Sequence, residues 1–382
     1  MCKCLYNHIS YRIIIKYYGV VMHKKIDLTL FVVSICLIII GLLMVYSASN
    51  IVALYKYNDS LYFIKRQGLF AVIGFIIMYI VIRLDNKLFY KYVTLVFFVS
   101  LLLLILVIIP GVGMVRGGAR SWLGIGSFSI QPAEFMKLAI IMFLAKYLSN
   151  NEKDLNKFWY FIFMLFIVGL IFGIIMLQPD FGTGIVLVIS CCLLLFCCGA
   201  PIKYFVLLLS LGVGGIIVLI ASAPYRMERI LAYLDPWSDP LGSGFQTIQS
   251  LYAISPSGLF GLGYNNSMQK HFFLPEPQND FIFAIICEEL GLIGAVIVIG
   301  LFALLIYRII YIATKLENKY HKYLCLGIGL IYFTQVFINI GVVIGLLPVT
   351  GITLPIISYG GSSLVLSMIM IAIVLNLSKG VE

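Results

Sequence analysis

The sequence predicts an all-α polytopic membrane protein: about ten transmembrane helices, with one long outer loop between the seventh and eighth spans. Three observations carry this expectation. Of the 382 residues, 62% are hydrophobic and only 11% charged, whereas soluble domains are about half apolar and about a quarter charged. The mean hydropathy is +1.08, and the apolar share is enough for roughly ten spans of about 20 residues. The apolar residues lie in long uninterrupted runs, not in the alternating pattern of an outer-membrane barrel. A soluble globular protein and a disordered chain are excluded on the same grounds.

Hydropathy places the spans near residues 28–48, 68–83, 92–110, 133–149, 158–177, 183–199, 202–221, 281–307, 323–346 and 356–377, with Gly, Pro and Asn punctuating the turns between them. With the N-terminus inside, 17 of the 26 basic residues fall on the cytoplasmic side. Both termini of this multi-pass chain are therefore expected in the cytoplasm. The net charge of +10 reads as this topological bias and not as a nucleic-acid surface. Most of the cysteines lie in or beside apolar runs, where Cys acts as a small hydrophobe, and no pair reads as a bridge or a zinc site.

Two domain units follow: a cytoplasmic N-terminal segment over 1–27, and a single transmembrane domain over 28–382 that includes outer loop 222–280. Residues 1–21 are basic and aromatic without a signal-peptide cleavage site. Met22, followed by His23, Lys24, Lys25 and Asp27, reads as a more natural start; an interfacial anchor is the alternative. The outer loop has 59 residues, a length that is commonly functional.

Several constellations can carry chemistry. At the outer end of the fourth span, Arg120 and Trp122 precede Pro132, Glu134 and Lys137. Pro132 suits a first helical turn, which puts Glu134 and Lys137 at i and i+3 on one face. Ionisable groups at that depth are expensive and face the bundle interior or a watery cavity; the pair reads equally as a structural ion pair or as substrate-facing. Asp180 reads as the N-cap of the sixth span. In the long loop, Asp235 and Asp239 each precede a proline and read as turn formers. Asp280 directly precedes the eighth span, beside Glu276, where a carboxylate can serve as helix cap or as general base. Glu288 and Glu289 lie inside the eighth span and require buried partners, from a basic residue or from backbone donors. Residues 348–363 are interrupted by Gly and Pro, and irregular backbone at membrane depth has to be buried in protein or line a cavity.

Five segments, GARSWLGIGSFSIQPAEFMK, QPDFGTG, DPWSDPLGSGFQTIQSLYAI, LPEPQNDFIFAIICEELG and LPVTGITLPIISYGGSS, occur in register with one known family. Through them the sequence resembles the SEDS proteins (FtsW, RodA and SpoVE) over nearly the whole chain after Asp27. The wording DPWSDPLGSGFQ and QSLYAI is closer to the FtsW and SpoVE branch.

The resemblance implies a peptidoglycan glycosyltransferase that polymerises lipid II into glycan strands at the outer face of the cytoplasmic membrane, for cell division or sporulation. It implies that the family's essential loop aspartate is Asp280, and that its important tryptophan and fourth-span pair are Trp122, Glu134 and Lys137. A sugar hydroxyl is a poor nucleophile, so a carboxylate base is useful. The leaving pyrophosphate needs charge stabilisation, from a divalent cation such as Mg2+ or Mn2+ or from Arg120, Lys137, Arg226 and Arg229. Expected substrate-binding residues are thus Trp122, Arg120, Glu134, Lys137, Arg226, Arg229 and Glu276. Expected partners are lipid II, the growing strand, a class B penicillin-binding protein and other division or sporulation membrane proteins. The competing readings are a lipid II flippase and a non-catalytic scaffold for a transpeptidase.

Overall fold

The computed structural model describes residues 25–116, 119–125, 128–208, 210, 233–242 and 244–381. Asp27 opens the first helix, α1 (Leu28–Tyr57); its carboxylate accepts from Leu30 N at 2.7 Å, satisfying a free N–H at the helix start. The same carboxylate pairs with Arg308, and Asp27 N donates to Ser378 Oγ at 3.0 Å. Three distant stretches of chain are thereby tied together at one end of the bundle. The helices α2 (Tyr62–Arg83), α3 (Asn86–Lys91) and α4 (Val93–Leu106) follow, then α5 (Pro132–Asn150), α6 (Phe158–Met176) and α7 (Phe181–Cys197). After a helical stretch at 202–208 come α8 (Phe245–Ile254), α9 (Ile282–Lys315), α10 (Lys319–Val343) and α11 (Gly361–Ser378).

A helix stands at each of the ten predicted places, the seventh being described only at its start. Among the described residues, α1, α2, α6, α9, α10 and α11 are long and apolar enough to cross a membrane, while α4 and α7 are shorter apolar helices. The protein is a multi-pass membrane protein. α10 and α11 form its middle: α11 packs on α2, and α10 packs on α5, α7 and α9. The outer helices bury one face and leave the other apolar and exposed, as at Val72 and Ile76 of α2, Phe98 and Leu102 of α4, and Val296 of α9. Such all-apolar exterior faces suit lipid.

The structure departs from the sequence expectation in three places. First, residues of the segment between α4 and α5 form a small antiparallel sheet in the order β1 (Met114–Arg116), β2 (Ala119–Ile125), β3 (Phe128–Ile130), with Met114 opposite Trp122 and Leu123 opposite Ile130. The sequence reading placed no strands here, since strands this short carry little periodicity. Second, much of the described part of the long loop is folded: it contains α8, and Asp235 and Asp239 close turns by accepting from Trp237 N and Gly242 N at 3.2 and 3.1 Å.

Third, the eighth span is broken. Gly291 has φ 66° and ψ −164° inside α9. A hydropathy average passes over a single such residue, so the break left no mark there. The carbonyls freed at Glu288 and Glu289 accept from Leu262 N and Gly263 N at 2.9 and 3.0 Å. On the other side of the break, Leu292 N and Ile293 N donate to Gly258 O and Leu259 O at 3.0 and 3.2 Å. The long loop thus inserts its 258–263 stretch into the helix and satisfies all four backbone groups, as irregular backbone at this depth requires.

Just below the break the two glutamates find the partners they need. Glu289, fully buried, accepts from Ser47 Oγ at 2.6 Å, Asn265 N at 3.0 Å, Ser267 N at 3.2 Å and Lys270 Nζ at 3.2 Å. Glu288 accepts from Ser267 Oγ, Met268 N and Gln269 N. Lys270 also donates to Asn265 O and Asn265 Oδ1, each at 2.7 Å. The basic residue and the backbone donors both come from the long loop, which is therefore anchored to α1 and α9 by a closed polar cluster.

Candidate active site

The residues that carry the site converge from α5, α9, α10 and the 344–360 connection between α10 and α11. Pro132 occupies the first turn of α5 as expected, which sets Glu134 and Lys137 on one face; Lys137 Nζ lies 2.7 Å from Glu134 Oε1. Both are buried, at 2% and 6% exposure. Lys137 Nζ also donates to Gln335 Oε1 of α10 at 3.0 Å. The pair is thus closed against a neighbouring helix, and of the two readings the sequence left open the geometry supports the internal ion pair.

At the head of α5, Gln131 Nε2 donates to Asp180 Oδ2 at 2.7 Å. Asp180 caps α7 as expected, accepting from Thr183 N at 3.2 Å. Burial raises its carboxyl above the usual aspartate range, partly opposed by its bonds to Thr183 and Gln131, while Glu134 adds to the rise. The sequence reading preferred a cap to catalysis for Asp180; beyond that cap, its second bond joins the fourth and sixth spans.

Asp280 does not cap α9. The capping position is Phe281, with no side-chain bond, so the carboxylate of Asp280 is left free of that duty. The chain reaches it through Leu274-Pro275-Glu276-Pro277, in which Glu276 has a left-handed φ of 46°, a costly conformation for a residue with a Cβ. Glu276 Oε2 accepts from Asn279 Nδ2 at 2.7 Å and the residue is exposed. Burial pushes the Asp280 carboxyl up to about 7, opposed by its own backbone N–H and reinforced by the charge of Glu276. A carboxyl with that affinity for protons is matched to general-base work near neutral pH.

The 344–360 connection lies against this carboxylate. Gly351 has φ 70°, and a Cβ placed there would sit 4.0 Å from Asp280 Oδ2. Ile356 also has a left-handed φ, of 71°, where it packs against α1 so closely that a Cβ on Gly41 would fall 2.8 Å from Ile357 Cα. Buried Gln67 of α2 holds the far end, donating to Ser358 O at 3.1 Å and accepting from Gly360 N at 3.2 Å. Tyr359 N donates to Gln278 O at 2.9 Å, which ties the connection to the Asp280 approach.

Arg120 and Trp122 lie half-buried on β2, which packs on α5. Arg226 and Arg229 lie outside the described residues. Among the described residues no three of His, Cys, Asp and Glu come together as a metal site. Two residues that the sequence reading passed over, Gln335 and Asn339, stand between the Glu134–Lys137 pair and Asp280. The signal that marked them was their polarity within the otherwise apolar run of the ninth span.

Residues 27–382 match the family model FTSW_RODA_SPOVE, described as a cell cycle protein. The chain is 53% identical over 354 residues to stage V sporulation protein E of Bacillus subtilis, covering 92% of this chain and 97% of that protein. It is 38% identical over 359 residues to the probable peptidoglycan glycosyltransferase FtsW of Saccharophagus degradans, covering 93% of each. In structure it matches a chain of a peptidoglycan synthase complex that coordinates polymerization and crosslinking, with a TM-score of 0.73, 29% identity and coverage of 92% and 97%. It also matches a mutant of the rod shape determining protein RodA of Thermus thermophilus, with a TM-score of 0.70, 25% identity and coverage of 92% and 97%. The higher identities to stage V sporulation protein E and FtsW agree with the branch that the loop wording indicated, and the chain belongs to the FtsW/RodA/SpoVE family.

Proposed function

We propose that Asp280 is the general base with which this peptidoglycan glycosyltransferase polymerises lipid II at the outer face of the bacterial cytoplasmic membrane, with both termini in the cytoplasm. The supporting observation is the Asp280 carboxylate itself. It is released from helix capping, half-buried, pushed up to about 7 and set against the glycine of a strained loop. In the reaction a sugar 4-hydroxyl of the acceptor attacks the anomeric carbon of the donor. Its proton passes to the Asp280 carboxylate, the new C1–O bond forms, and the old C1–O bond breaks with its electron pair leaving on the lipid pyrophosphate. The α-linked donor becomes a β-linkage in one inversion, without a covalent enzyme intermediate.

The leaving pyrophosphate is weakly basic and needs charge stabilisation more than a proton. Arg120 on β2 is the cation we assign to it, with Trp122 beside it, and Arg226 and Arg229 of the long loop as further contacts. Lys137 is buried against Glu134 and Gln335 and acts in this scheme through the frame of the site. Glu276 lies at the approach and adds to the proton affinity that burial gives Asp280. A Mg2+ or Mn2+ ion enters this scheme as a companion of the substrate pyrophosphate, since Mg2+ is commonly held by one or two carboxylates plus phosphate oxygens.

The apolar outer faces of the helices suit the polyprenyl tails and a single-span partner. That partner is a class B penicillin-binding protein, alongside other division or sporulation membrane proteins. The test is polymerisation of labelled lipid II by the purified full-length protein with its transpeptidase, comparing wild type with Asp280→Asn. Long strands from wild type and none from a folded Asp280→Asn support the assignment. Equal polymer from both removes Asp280 from the chemistry.

A further inference from the structure

Two uncharged residues of α10 connect everything the site contains. Asn339 is 1% exposed, and its Nδ2 donates to Asp280 O and to Ile352 O, each at 2.7 Å. Two carbonyl oxygens at that distance can be met only by the amino end of a carboxamide, so the orientation of the side chain is fixed by its partners. One turn away on the same face, Gln335 Nε2 donates to Thr353 O at 3.0 Å, and its Oε1 accepts from Lys137 Nζ at 3.0 Å. The two amides therefore clamp consecutive carbonyls of the connection that lies against the Asp280 carboxylate. One of them also holds the peptide unit of Asp280 itself, and the other passes the clamp on to the Glu134–Lys137 pair.

We infer that Gln335 and Asn339 are positioning residues for the transfer reaction, fixing the Asp280 carboxylate and the 350–353 stretch in one relative geometry and coupling that geometry to the Glu134–Lys137 ion pair. The inference rests on Asp280 being the base. Its logic is that of proximity: a base displaced by about 1 Å loses about a hundredfold in rate, and nothing in the Asp280 side chain's own bonding prevents such a shift. The charged groups around the clamp are Glu276 on the loop side, Glu134 and Lys137 on the α5 side, and Asp180 at the head of α7, which packs on the 350–352 stretch.

A comparison clamp exists elsewhere in the molecule. Asn376 of α11 also spans two carbonyls through Nδ2, those of Val81 and Leu84 at 2.7 and 2.9 Å, at the end of α11 far from Gly361 and the site. The experiment is lipid II polymerisation by the full-length protein with its transpeptidase, from about pH 6 to about pH 9, with thermal melting of each variant. The variants are Asn339→Leu, Gln335→Glu, Asn376→Leu and Asp280→Asn. Gln335→Glu keeps an acceptor for Lys137 and loses the donor to Thr353 O with little loss of packing; because its added carboxylate itself raises neighbouring carboxyls, it tests the clamp through kcat at the alkaline plateau and not through the acid limb.

Expected are an Asn339→Leu kcat lowered about 10- to 100-fold with KM changed less than about twofold, and an acid limb displaced by about half a pH unit or more. Gln335→Glu should lower the plateau kcat in the same sense. Asn376→Leu should lose melting temperature and keep the wild-type acid limb. A wild-type plateau kcat in both α10 variants with a wild-type acid limb in Asn339→Leu, or changes in KM alone, overturn the inference while leaving the base reading intact. Should Asn339→Leu fail to fold, Gln335→Glu decides by its plateau kcat and KM. Polymer from Asp280→Asn at the wild-type rate removes the base reading and the positioning role with it.

Discussion

Acidification will switch the enzyme off through Asp280. With its carboxyl at about 7, about half of the molecules carry the basic form at pH 7, about nine-tenths at pH 8 and about one-tenth at pH 6. The rate of polymerisation should therefore fall close to tenfold for each pH unit below about 6. An ordinary aspartate, near 3.9, would leave the rate flat over the same interval. The neighbouring charge gives a second arm. Glu276 raises the Asp280 carboxyl, so Glu276→Gln should move the acid limb to lower pH and preserve more activity at pH 6. Initial rates of strand formation across pH, at saturating labelled lipid II, read both effects. An acid limb centred below about pH 5, or one that Glu276→Gln leaves in place, would refute the reasoning. Stability should run the opposite way: the folded carboxyl lies above its unfolded value of 3.8. This contribution is therefore fully present below about pH 4 and lost as pH rises through about 7. Holding the Asp280 carboxyl this high costs fold stability above about pH 7.

Two further outcomes follow from the loop anchor. Lys270→Met leaves Glu289 buried and without its cation, and breaking a buried pair from one side costs about 3–5 kcal/mol. The melting temperature should drop accordingly, and limited proteolysis should then cut within 258–280; an unchanged melt would show that the serine and backbone donors suffice for Glu289. Gly291→Ala places a Cβ 2.4 Å from Gly261 N and 2.5 Å from Leu259 O at a φ of 66°. Left-handed strain and overpacking together predict a loss of at least about 2 kcal/mol, measurable by thermal melting of the purified protein.

Composition and hydropathy determined the bundle, the number of spans and the long loop, because a membrane-spanning helix must be apolar along its length whatever it packs against. The ionisable residues of the site were legible for the converse reason. Glu134, Lys137, Asp280, Glu288 and Glu289 stand out where charge is costly, and the structure gives Glu134, Lys137, Glu288 and Glu289 their partners. Gln335 and Asn339 were passed over because an uncharged amide in an apolar run is inexpensive, and its meaning depends on which carbonyls face it. Of those carbonyls, Asp280 O comes from a distant segment, and Ile352 O and Thr353 O from the connection that leaves α10 and folds back on it, so only tertiary packing brings them together. The same holds for Lys270, which the sequence sets in a loop and the fold buries beneath the broken eighth span. Local chemistry could be read along the chain. The proton affinity of Asp280 was decided by the tertiary structure, since it depends on how much water the neighbouring segments exclude.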